Sequence, residues 1–521
     1  MRPRIRDASD KLRPNRASFD HDDAKFHRKH LPPLRTMFGR WRKWTVLVAA
    51  IWIQASTGTN FDFSAYSSHL KSVLGVSQVR LNYLAVASDL GKAFGWSSGI
   101  ALACFILCIR HFPNNRALAL SLTVSFNGIS AALYSLAFNA INPSSSNLYL
   151  LLNSLVPLVV SFAALYPVLS KPTIDPSPDS ESRRHDSHVF TILNVLAVMT
   201  SFHLLLSSSS TSSARLNLLG AIVLLVFPLC GPLIVYARDY FLPVINHRLT
   251  HESSGYVMLY IDELKSQKES VSGYELMGNI VRLGDEHSFR LLITRLEFWL
   301  YYIAYLCGGT IGLVYSNNLG QIAQSLGQNS TTLVTIYSSF SFFGRLLSAA
   351  PDFMHKRYRL TRTGWFTIAL LPTPFAFFLL AVSSSQQTAL QTATALIGLS
   401  SGFIFAAAVS ITSDLFGPNS VGVNHNILIT NIPIGSLLYG YIAASIYEAN
   451  ASPEITMIVS DSIVCLGRDC YFKTFMFWGF LSILGVVSSL LLYIRTKPVY
   501  HRLEQDQGSI TSSSYKDLDP L

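Results

Sequence analysis

The chain has 521 residues, of which 50% are hydrophobic and only 13% are charged. This composition excludes a row of soluble domains, which the length alone would allow at roughly 150 residues each. Forty Lys and Arg residues against thirty Asp and Glu residues give a net charge of +10, and the charges are confined to a few stretches between apolar runs. That pattern is typical of a polytopic membrane protein. Six cysteines without a CxxC pair or a His-rich cluster argue against a disulfide scaffold and against a zinc enzyme.

Residues 1–45 form a basic arm with thirteen Lys or Arg residues and five Asp residues. Four prolines interrupt any apolar period, so we expect a disordered cytosolic tail. The arm lacks the apolar core of a signal peptide, and its five acidic residues are more than a transit peptide usually contains. Because no stripe of aromatic residues accompanies the charge, anionic lipid is the expected partner rather than nucleic acid.

The apolar runs predict an all-α fold with about twelve membrane-spanning helices in two bundles. A bilayer core of about 30 Å requires about 20 apolar residues in a helix. Such runs lie near residues 46–68, 81–109, 117–138, 148–169, 189–206, 216–236, 296–316, 332–350, 364–382, 389–413, 424–447 and 475–495. A charge-balanced cytosolic loop at 237–295 divides them six and six into membrane domains 46–236 and 296–495, as in two-bundle transporters. Residues 496–521 form a second cytosolic tail.

The charged loops predict the orientation of the chain. Lys and Arg occur in alternate loops, whereas the loops at 139–147, 317–331 and 383–388 contain no charge. The positive-inside rule therefore places both termini in the cytosol. Asn329 and Asn450 begin glycosylation sequons in loops that this rule places outside. Cys465 and Cys470 share the outer loop with Asn450, where a disulfide and two free thiols are equally compatible with the sequence.

Asp89 and Lys92 are charged residues inside the second predicted span. Their i, i+3 spacing places them on one helical face, where they can neutralise each other. Two readings remain open: an ion pair that only fixes packing, or a site in which Asp89 binds a proton or cation or forms part of a gate. Gly91, Gly95 and Gly99 form a ridge of small residues on the same helix, which favours helix packing over substrate contact.

Several uncharged or acidic residues are candidates for the lining of a pathway. The first span contains the polar, glycine-interrupted segment with Gln54, Asn60 and Asp62, whose unwound backbone could line a cavity, although Asp62 could equally lie at the membrane interface. Asn317, Asn318 and Gln321 form an uncharged polar cap at the outer end of the seventh span.

The inner junctions of the second bundle supply candidate gate residues. Arg345 and Asp352 lie between two spans beside a basic run, where an arginine and a carboxylate could separate and re-form as the bundles rock, or could simply anchor the loop. Asp414, Asn424 and His425 mark the next inner junction. His425 could titrate near neutral pH or be a hydrogen-bonded structural histidine.

No catalytic or nucleotide-binding motif occurs in the chain. The absence of a Walker P-loop argues against an ATP-driven pump, and the absence of HExxH and GxSxG motifs argues against a hydrolase. We therefore expect no enzyme, no cofactor and no metal site, but a secondary transporter of an unidentified small solute. The alternative is a membrane scaffold or regulatory protein whose active surfaces are the basic arm and the 237–295 loop.

Several motifs together resemble a known family. They are Ser-Asp-Leu-Gly-Lys at 88–92, Cys-Ile-Arg-His-Phe-Pro-Asn-Asn-Arg at 108–116, Asn-Asn-Leu-Gly-Gln-Ile-Ala-Gln-Ser-Leu-Gly at 317–327, Asp-Leu-Phe-Gly-Pro at 414–418 and Gly-Val-Asn at 422–424. From about residue 44 to 500 the chain resembles the plant nodulin-like, Nuclear Fusion Defective 4-like branch of the major facilitator superfamily. The resemblance implies a nodulin-like first domain, a facilitator-type second domain and transport of a substrate that is poorly defined for the family. Residues 344–352 resemble the superfamily's inner gating loop.

The chain departs from the family pattern at one place. In the family, two further membrane passages separate the Ser-Asp-Leu-Gly helix from the Arg-His/Asn-Phe-Pro motif, whereas here only residues 95–109 lie between them. The resemblance therefore implies that one helical hairpin is missing, roughly forty residues at about 20 per span. Four helices of the first bundle and two inserted helices at 189–236 would then precede the second bundle. A skipped exon or a faulty gene model would explain the loss, and its product could be non-transporting.

Overall fold

The computed structural model describes residues 34–94, 105, 107–108, 111–112, 115–142, 146–169, 180–209, 213–229, 282–358, 360–451, 456–459 and 462–516. These residues are almost entirely helical. We refer to residues 34–229 as the first half and to residues 282–516 as the second half. The expectations for the start of the arm, for residues 237–281 of the 237–295 linker and for the missing hairpin at 95–109 concern residues that lie wholly or mostly outside the described ones.

The first half contains eight α-helices among its described residues. They are α1 Leu34–Thr57, α2 Phe63–Leu74, α3 Gln78–Phe94, α4 Arg116–Gly128, α5 Ser130–Ile141, α6 Ser146–Leu169, α7 Ser180–Ser209 and α8 Ala214–Val226, with 3-10 turns at Thr59–Asp62 and Phe227–Leu229. Gly58 separates α1 from the first turn, where a Cβ would lie 2.5 Å from the Asn127 carbonyl oxygen. The polar segment of the predicted first span is thus an interruption of the helix. The Gly58 and Asn127 backbones approach too closely there for any side chain at position 58, so only glycine fits.

The second half contains eleven α-helices and one β-hairpin among its described residues. They are α9 Phe289–Leu292, α10 Leu296–Tyr305, α11 Ile311–Ser325, α12 Ser330–Leu347, α13 Ala350–Tyr358, α14 Arg362–Leu370, α15 Pro372–Ser383, α16 Gln387–Phe416, α17 Val421–Ile429, α18 Asn431–Ala449, β1 Thr456–Val459, β2 Ser462–Cys465 and α19 Asp469–Lys516. A π-helical turn at Leu306–Thr310 joins α10 to α11. Caps follow the sequence: the Asn329 side chain accepts hydrogen bonds at the start of α12, and Pro372 occupies the first turn of α15.

Eight helical segments of the described chain are long and apolar enough to cross a membrane. They are Arg116–Ile141, Asp186–Ser207, Leu296–Ser325, Ser330–Met354, Arg362–Ser383, Gln387–Phe416, Val421–Ala449 and Asp469–Leu503, and each coincides with a span predicted from the sequence. The other four predicted spans fall on broken, shorter or partly undescribed helices: α1 and α2 are separate, and the apolar stretches Leu148–Ala164 and Ala214–Val226 have fewer than 18 residues. The polytopic helical fold is confirmed.

Close helix packing in the second half depends on glycines of α12 and α16. A Cβ at Gly344 would lie 2.0 Å from the Leu399 carbonyl oxygen, and one at Gly402 would lie 2.1 Å from the Ser341 carbonyl oxygen. Small residues let two membrane helices approach to backbone contact, which strengthens their van der Waals packing. By contrast, Gly91 of the predicted glycine ridge is exposed, and a Cβ at this position would meet no atom within 4 Å, while Gly95 and Gly99 lie outside the described residues.

Two features differ from the predictions: a β-hairpin occurs in the predicted all-α fold, and the last helix extends into the predicted tail. β1 and β2 pair antiparallel, with Thr456 opposite Cys465, in the loop before α19. The helix α19 also continues to Lys516, so most of the predicted tail at 496–521 is an extension of the last membrane helix. Strands of four residues are too short to produce a recognisable alternation in the sequence, which is why the hairpin was not predicted.

Candidate functional site

Polar residues at one end of the helices form a chain of ion pairs that connects the two halves. Asp414, at the end of α16, accepts a hydrogen bond at 3.0 Å from Arg116 Nη2 at the start of α4. Its second carboxylate oxygen lies 3.2 Å from Arg362 Nε at the start of α14. Arg362 also pairs with Asp352 at 2.5 Å. We call this end of the molecule the arginine end; only Arg116 of these four residues belongs to the first half.

Solvent access differs along this chain of ion pairs. The side chain of Asp414 is 8% exposed and that of Arg362 is 15% exposed, whereas Arg116 and Asp352 are each 36% exposed. The pair of Arg362 with Asp414, within the second half, is therefore shielded from water. In the pair of Arg116 with Asp414, between the halves, the arginine is partly hydrated. A pair of this kind can form and separate at modest cost, because the released arginine is readily hydrated.

A segment just before α9 fixes the end of α16 that carries Asp414. The amides of Gly284 and His287 donate to the carbonyls of Leu415 and Phe416 at 2.8 and 3.0 Å. The Glu286 carboxylate accepts from the amides of Asn419 and Ser420 at 2.8 and 2.9 Å, in the turn that begins with Gly417 at φ +95°. Burial opposes ionisation of Glu286, but these hydrogen bonds outweigh it and lower its pKa.

Glu286 was not among the residues predicted from the sequence. The candidate Asn424 belongs to the same contact, since its side-chain amide donates to the His287 carbonyl at 3.1 Å and to the Phe416 carbonyl at 3.3 Å. His425 is buried beside it and 7% exposed. Only the run of small and polar residues at 417–420 signalled a turn here, and a turn does not reveal which distant carboxylate will cap it.

The opposite end of the helices carries a second set of contacts between the halves. We call it the disulfide end, because Cys465 and Cys470 form a disulfide there. Gln321 Nε2 donates to Ser67 Oγ of the first half at 2.8 Å. Glu448 accepts from the Val79 amide at 3.0 Å.

Lys71 is a buried cation at the disulfide end. Its Nζ lies 4.8 Å from the centre of the Tyr447 ring, and its side chain is 3% exposed. Burial lowers the pKa of Lys71 to about 8, and the nearby Glu448 carboxylate acts in the opposite direction. A cation above an aromatic face is attracted by the ring quadrupole, which favours the charged form of Lys71 at this contact. Lys71 was not predicted from the sequence, because it lies just beyond the first predicted span.

Asp89 contacts the second half at an intermediate level. It is 1% exposed and accepts a short hydrogen bond from Ser436 Oγ of α18. The carbonyl of the same serine accepts from Asn82 Nδ2 at 3.5 Å, and Asn82 fills the space beside Gly440. The hydrogen bond of Asp89 therefore crosses between the halves. The sequence predicted a pair with Lys92 on the same helix, but the side chain of Lys92 lies outside the described residues.

The candidate residues of the first span are fully enclosed. Gln54 is 2% exposed, and Asp62 is 0% exposed in the turn between α1 and α2. Asp62 lies near enough to the hydroxyls of Tyr66, Tyr134 and Tyr149 to interact with them electrostatically. Asp62 is therefore enclosed by protein and does not lie at an exposed position. The side chain of Asn60 lies outside the described ones.

The remaining sequence candidates occupy separate places. Asn318 is buried and bonds its own helix through the Val314 carbonyl at 2.9 Å, and Asn317 is 6% exposed beside it. The sequon residue Asn329 is exposed, whereas Asn450 is half-buried and donates to the Ile446 carbonyl at 2.8 Å. Among the described residues, no group of three His, Cys, Asp or Glu side chains is placed to hold a metal ion.

Arg345 lies apart from the ion pairs of the arginine end. It is 2% exposed, and its Nη1 donates to the Val124 carbonyl at 3.1 Å and to Asn127 Oδ1 at 2.8 Å, both on α4 of the first half. Arg345 and Asp352 were predicted to act together, but the ion-pair partner of Asp352 in the structure is Arg362. The two residues belong to different helices, because α12 ends at Leu347 and Asp352 lies in the following helix α13.

The eight membrane-length helices of the described residues define the class of this molecule. It is an integral, multi-pass helical membrane protein.

Sequence comparison gives the family. The Nodulin-like family model matches residues 43–105 and 102–233, and the model described as NFD4, C-terminal domain, matches residues 281–502. Protein NUCLEAR FUSION DEFECTIVE 4 of Arabidopsis thaliana is 82% identical to this chain over 583 residues, with 100% of each chain covered. The chain belongs to the Nodulin-like, NUCLEAR FUSION DEFECTIVE 4 family, as the resemblance of its motifs implied.

Two more distant similarities accompany this match. The probable transporter mch1 of Emericella nidulans is 28% identical over 218 residues, which cover 35% of this chain and 34% of that protein. The inward-facing, unoccupied crystal structure of a bacterial homolog to the human lysosomal transporter Spinster is 14% identical, with a TM-score of 0.44, and the similarity covers 89% of this chain and 98% of that one.

Proposed function

We propose that the protein is a secondary transporter that moves a small solute across a membrane by alternating access. The observation that carries this proposal is the ion pair between Arg116 and Asp414, which joins the two halves at the arginine end through partly hydrated side chains. The local similarity to a probable transporter supports the same class of function. In this cycle the two halves rock relative to each other, so that first one end and then the other opens.

Both ends of the interface carry contacts that can break without leaving a buried charge alone. At the arginine end, the shielded carboxylate of Asp414 retains Arg362 as a partner when Arg116 leaves, and the released Arg116 is partly hydrated. At the disulfide end, Gln321 and Ser67 are neutral, so water can replace their hydrogen bond at low cost. Asp89 and Ser436 occupy the level between these contacts, where a carboxylate could bind a proton or cation in each cycle.

The orientation of the cycle follows from the charge pattern. We propose that the arginine end faces the cytosol together with both termini, because the basic loops cluster on that side of the predicted topology. The disulfide and the sequon residues Asn329 and Asn450 then face the opposite compartment, which would need to be oxidising for the Cys465–Cys470 bond to persist. The plasma membrane and an endomembrane both meet this condition.

Transport by the reconstituted full chain tests the proposal. Proteoliposomes should take up at least one member of a panel of labelled small solutes in a saturable way and show counterflow. The double variant Asp89→Asn with Asp352→Asn should transport less, and Glu297→Gln serves as the control, because Glu297 pairs with Arg495 inside the second half. Uptake that the double variant leaves unchanged would reject the assigned roles of Asp89 and Asp352.

A second candidate function is favoured by the way the family match is divided. The Nodulin-like model matches in two pieces that meet at residues 102–105, inside the segment where the motifs imply a lost hairpin. The alignment with the Arabidopsis protein spans 583 positions against 521 residues here, so 62 positions have no counterpart in this chain. That number suffices for two spans of about 20 residues and their loops.

We therefore propose that this chain is a hairpin-lacking form, and a form without two helices of its first bundle could serve as a non-transporting membrane scaffold. The scaffold would act through residues 1–45 and 237–295. The transcript across the codons for residues 95–109 decides whether the short form exists. Removal of the two segments then separates the functions, because a scaffold should lose its placement or partner while a transporter should retain most of its flux.

A further inference from the structure

A buried arginine lies between the halves where neither the ion pairs of the arginine end nor the contacts of the disulfide end reach it. Arg345 is on α12 of the second half, where this helix packs against α4 of the first half. Its guanidinium donates to the Val124 carbonyl and to the Asn127 side-chain oxygen. Both acceptors are neutral, and both belong to the half that moves relative to α12 in the proposed cycle.

The surroundings of Arg345 within the second half are aromatic and hydroxyl-bearing. The guanidinium carbon lies 5.7 Å from the centre of the Phe405 ring. Tyr305 and Tyr337 are buried beside it and interact with it electrostatically. The Tyr337 hydroxyl is held by the Gly312 carbonyl at 3.1 Å and by Ser401 Oγ at 3.0 Å. Apolar walls with a few well-fixed polar groups are the usual lining of a small-molecule site.

The chemistry of arginine indicates which ligand such a site would hold. A charged side chain inside a membrane domain is costly, so it is retained where it serves a pathway or a partner. The planar guanidinium presents two parallel N–H groups that match a carboxylate, and a hydrogen bond with charge on both partners is stronger than one to an amide oxygen. A carboxylate can therefore displace Val124 and Asn127 as the halves separate.

We propose that Arg345 binds the carboxylate of a small monoanionic substrate in the pathway between the halves. This inference rests on the proposed transport function and names its substrate class. One positive charge among neutral aromatic and hydroxyl groups neutralises one negative charge, so a doubly charged phosphate would leave a net buried charge. In the closed contact, Val124 and Asn127 occupy the guanidinium, and the substrate takes their place when α4 moves away from α12.

Ligand-dependent thermal unfolding of the purified full chain tests this assignment. The probes are sodium acetate and sodium propionate, compared with sodium chloride and with sodium sulfate, whose anion is doubly charged at neutral pH, at equal ionic strength. Acetate and propionate should raise the unfolding temperature in a saturable way, and chloride and sulfate should not. Arg345→Gln should abolish this rise, and Arg345→Lys, which keeps the charge but loses the planar fork, should weaken the apparent affinity by about tenfold.

Arg495→Gln is the matched control. It also removes one arginine from the second half, but that arginine pairs with Glu297 at 2.6 Å, away from Arg345. The control should keep the full response to acetate. Equal responses to acetate and chloride in the wild type, or an acetate response that persists in Arg345→Lys at unchanged affinity, would overturn the proposal even if Arg345→Gln did not fold.

The same measurements separate this inference from the transport proposal. Saturable flux of a neutral or cationic solute without any response to carboxylates would refute the assignment of Arg345 and leave transport standing. A carboxylate response that depends on Arg345, together with an absence of flux for every carboxylate tested, would support the binding site and refute transport.

Discussion

Removal of the charge on Arg116 should shift the chain toward the state that is open at the arginine end. Arg116→Gln deletes the ion pair with Asp414 that crosses between the halves, and the side chain of Arg116 is 36% exposed. Pairs with this degree of exposure contribute about 0.2–1 kcal/mol. That free energy corresponds to roughly a 1.4- to 5-fold increase in the ratio of open to closed molecules.

Spin labels across the arginine end can measure this ratio. Asn115→Cys, next to Arg116, and exposed Pro418→Cys, after α16, place one label on each half. Pulsed electron–electron distances in lipid nanodiscs should show a longer-distance population that grows in Arg116→Gln by the factor given above. Cys108 and Cys307 are buried and Cys465 and Cys470 are bonded to each other, so these four should not compete for the label. Cys104 and Cys230, which lie outside the described residues, are replaced by serine in every labelled protein.

Asp414→Asn should give the same distance change as Arg116→Gln, because both remove the same pair between the halves. It should also lower the unfolding temperature, since Arg362 loses a shielded partner. The combined variant should show no further distance change, as expected for two residues that act through one contact. Glu297→Gln should leave the distances unchanged. Identical distance distributions in the wild type, Arg116→Gln and Asp414→Asn would refute the assignment of this pair as a gate.

Three further predictions concern other contacts of the described chain. Burial lowers the pKa of Lys71 in the folded chain to about 8, so the unfolded chain binds more protons between about pH 8 and 10.4. The unfolding temperature should therefore rise with pH in that window, and Lys71→Met should lose this rise. The pKa of Glu286 is lowered in the folded chain, so its contribution to stability is present above the unfolded pKa of about 4.3 and is lost as pH falls through the lower folded pKa. In Glu286→Gln, this loss should be absent from the unfolding temperatures measured from pH 6 down to 3. Gly402→Val would place a Cβ 2.1 Å from the Ser341 carbonyl oxygen. Denaturation should show that the free energy of unfolding falls by about 1–3 kcal/mol. A free energy equal to that of the wild type would mean that α12 and α16 do not pack closely.

The membrane helices of the second half were predictable because each is long and apolar. The sequence predicted a span near 389–413, and the structure has a helix at Gln387–Phe416. A bilayer imposes this length directly, and no neighbouring element needs to be known. The spans of the first half were harder to predict, since the break at Gly58 depends on the approach of the Asn127 backbone from another helix.

Contacts between distant parts of the chain explain most differences at the candidate site. Asp89 and Lys92 are neighbours on one helix, so a local pair was the reading that the sequence favoured, but Ser436 of the second half supplies the described partner of Asp89. Likewise, the sequence identified Asp414 but gave no reason to join it to Arg116, which lies 298 positions earlier in the chain. Helical spacing specifies which residues share a face, whereas the partner of that face depends on how the helices pack.

Paired distance measurements at both ends of one molecule test the central claim most directly. Labels at Asn115→Cys and Pro418→Cys report on the arginine end, and labels at the exposed positions Val73→Cys and Ala449→Cys report on the disulfide end. Alternating access predicts two distance populations at each end. A condition that lengthens the distance at one end should shorten the distance at the other, as when Arg116→Gln opens the arginine end. A single distance at both ends, unchanged by Arg116→Gln and by every solute tested, would contradict the account.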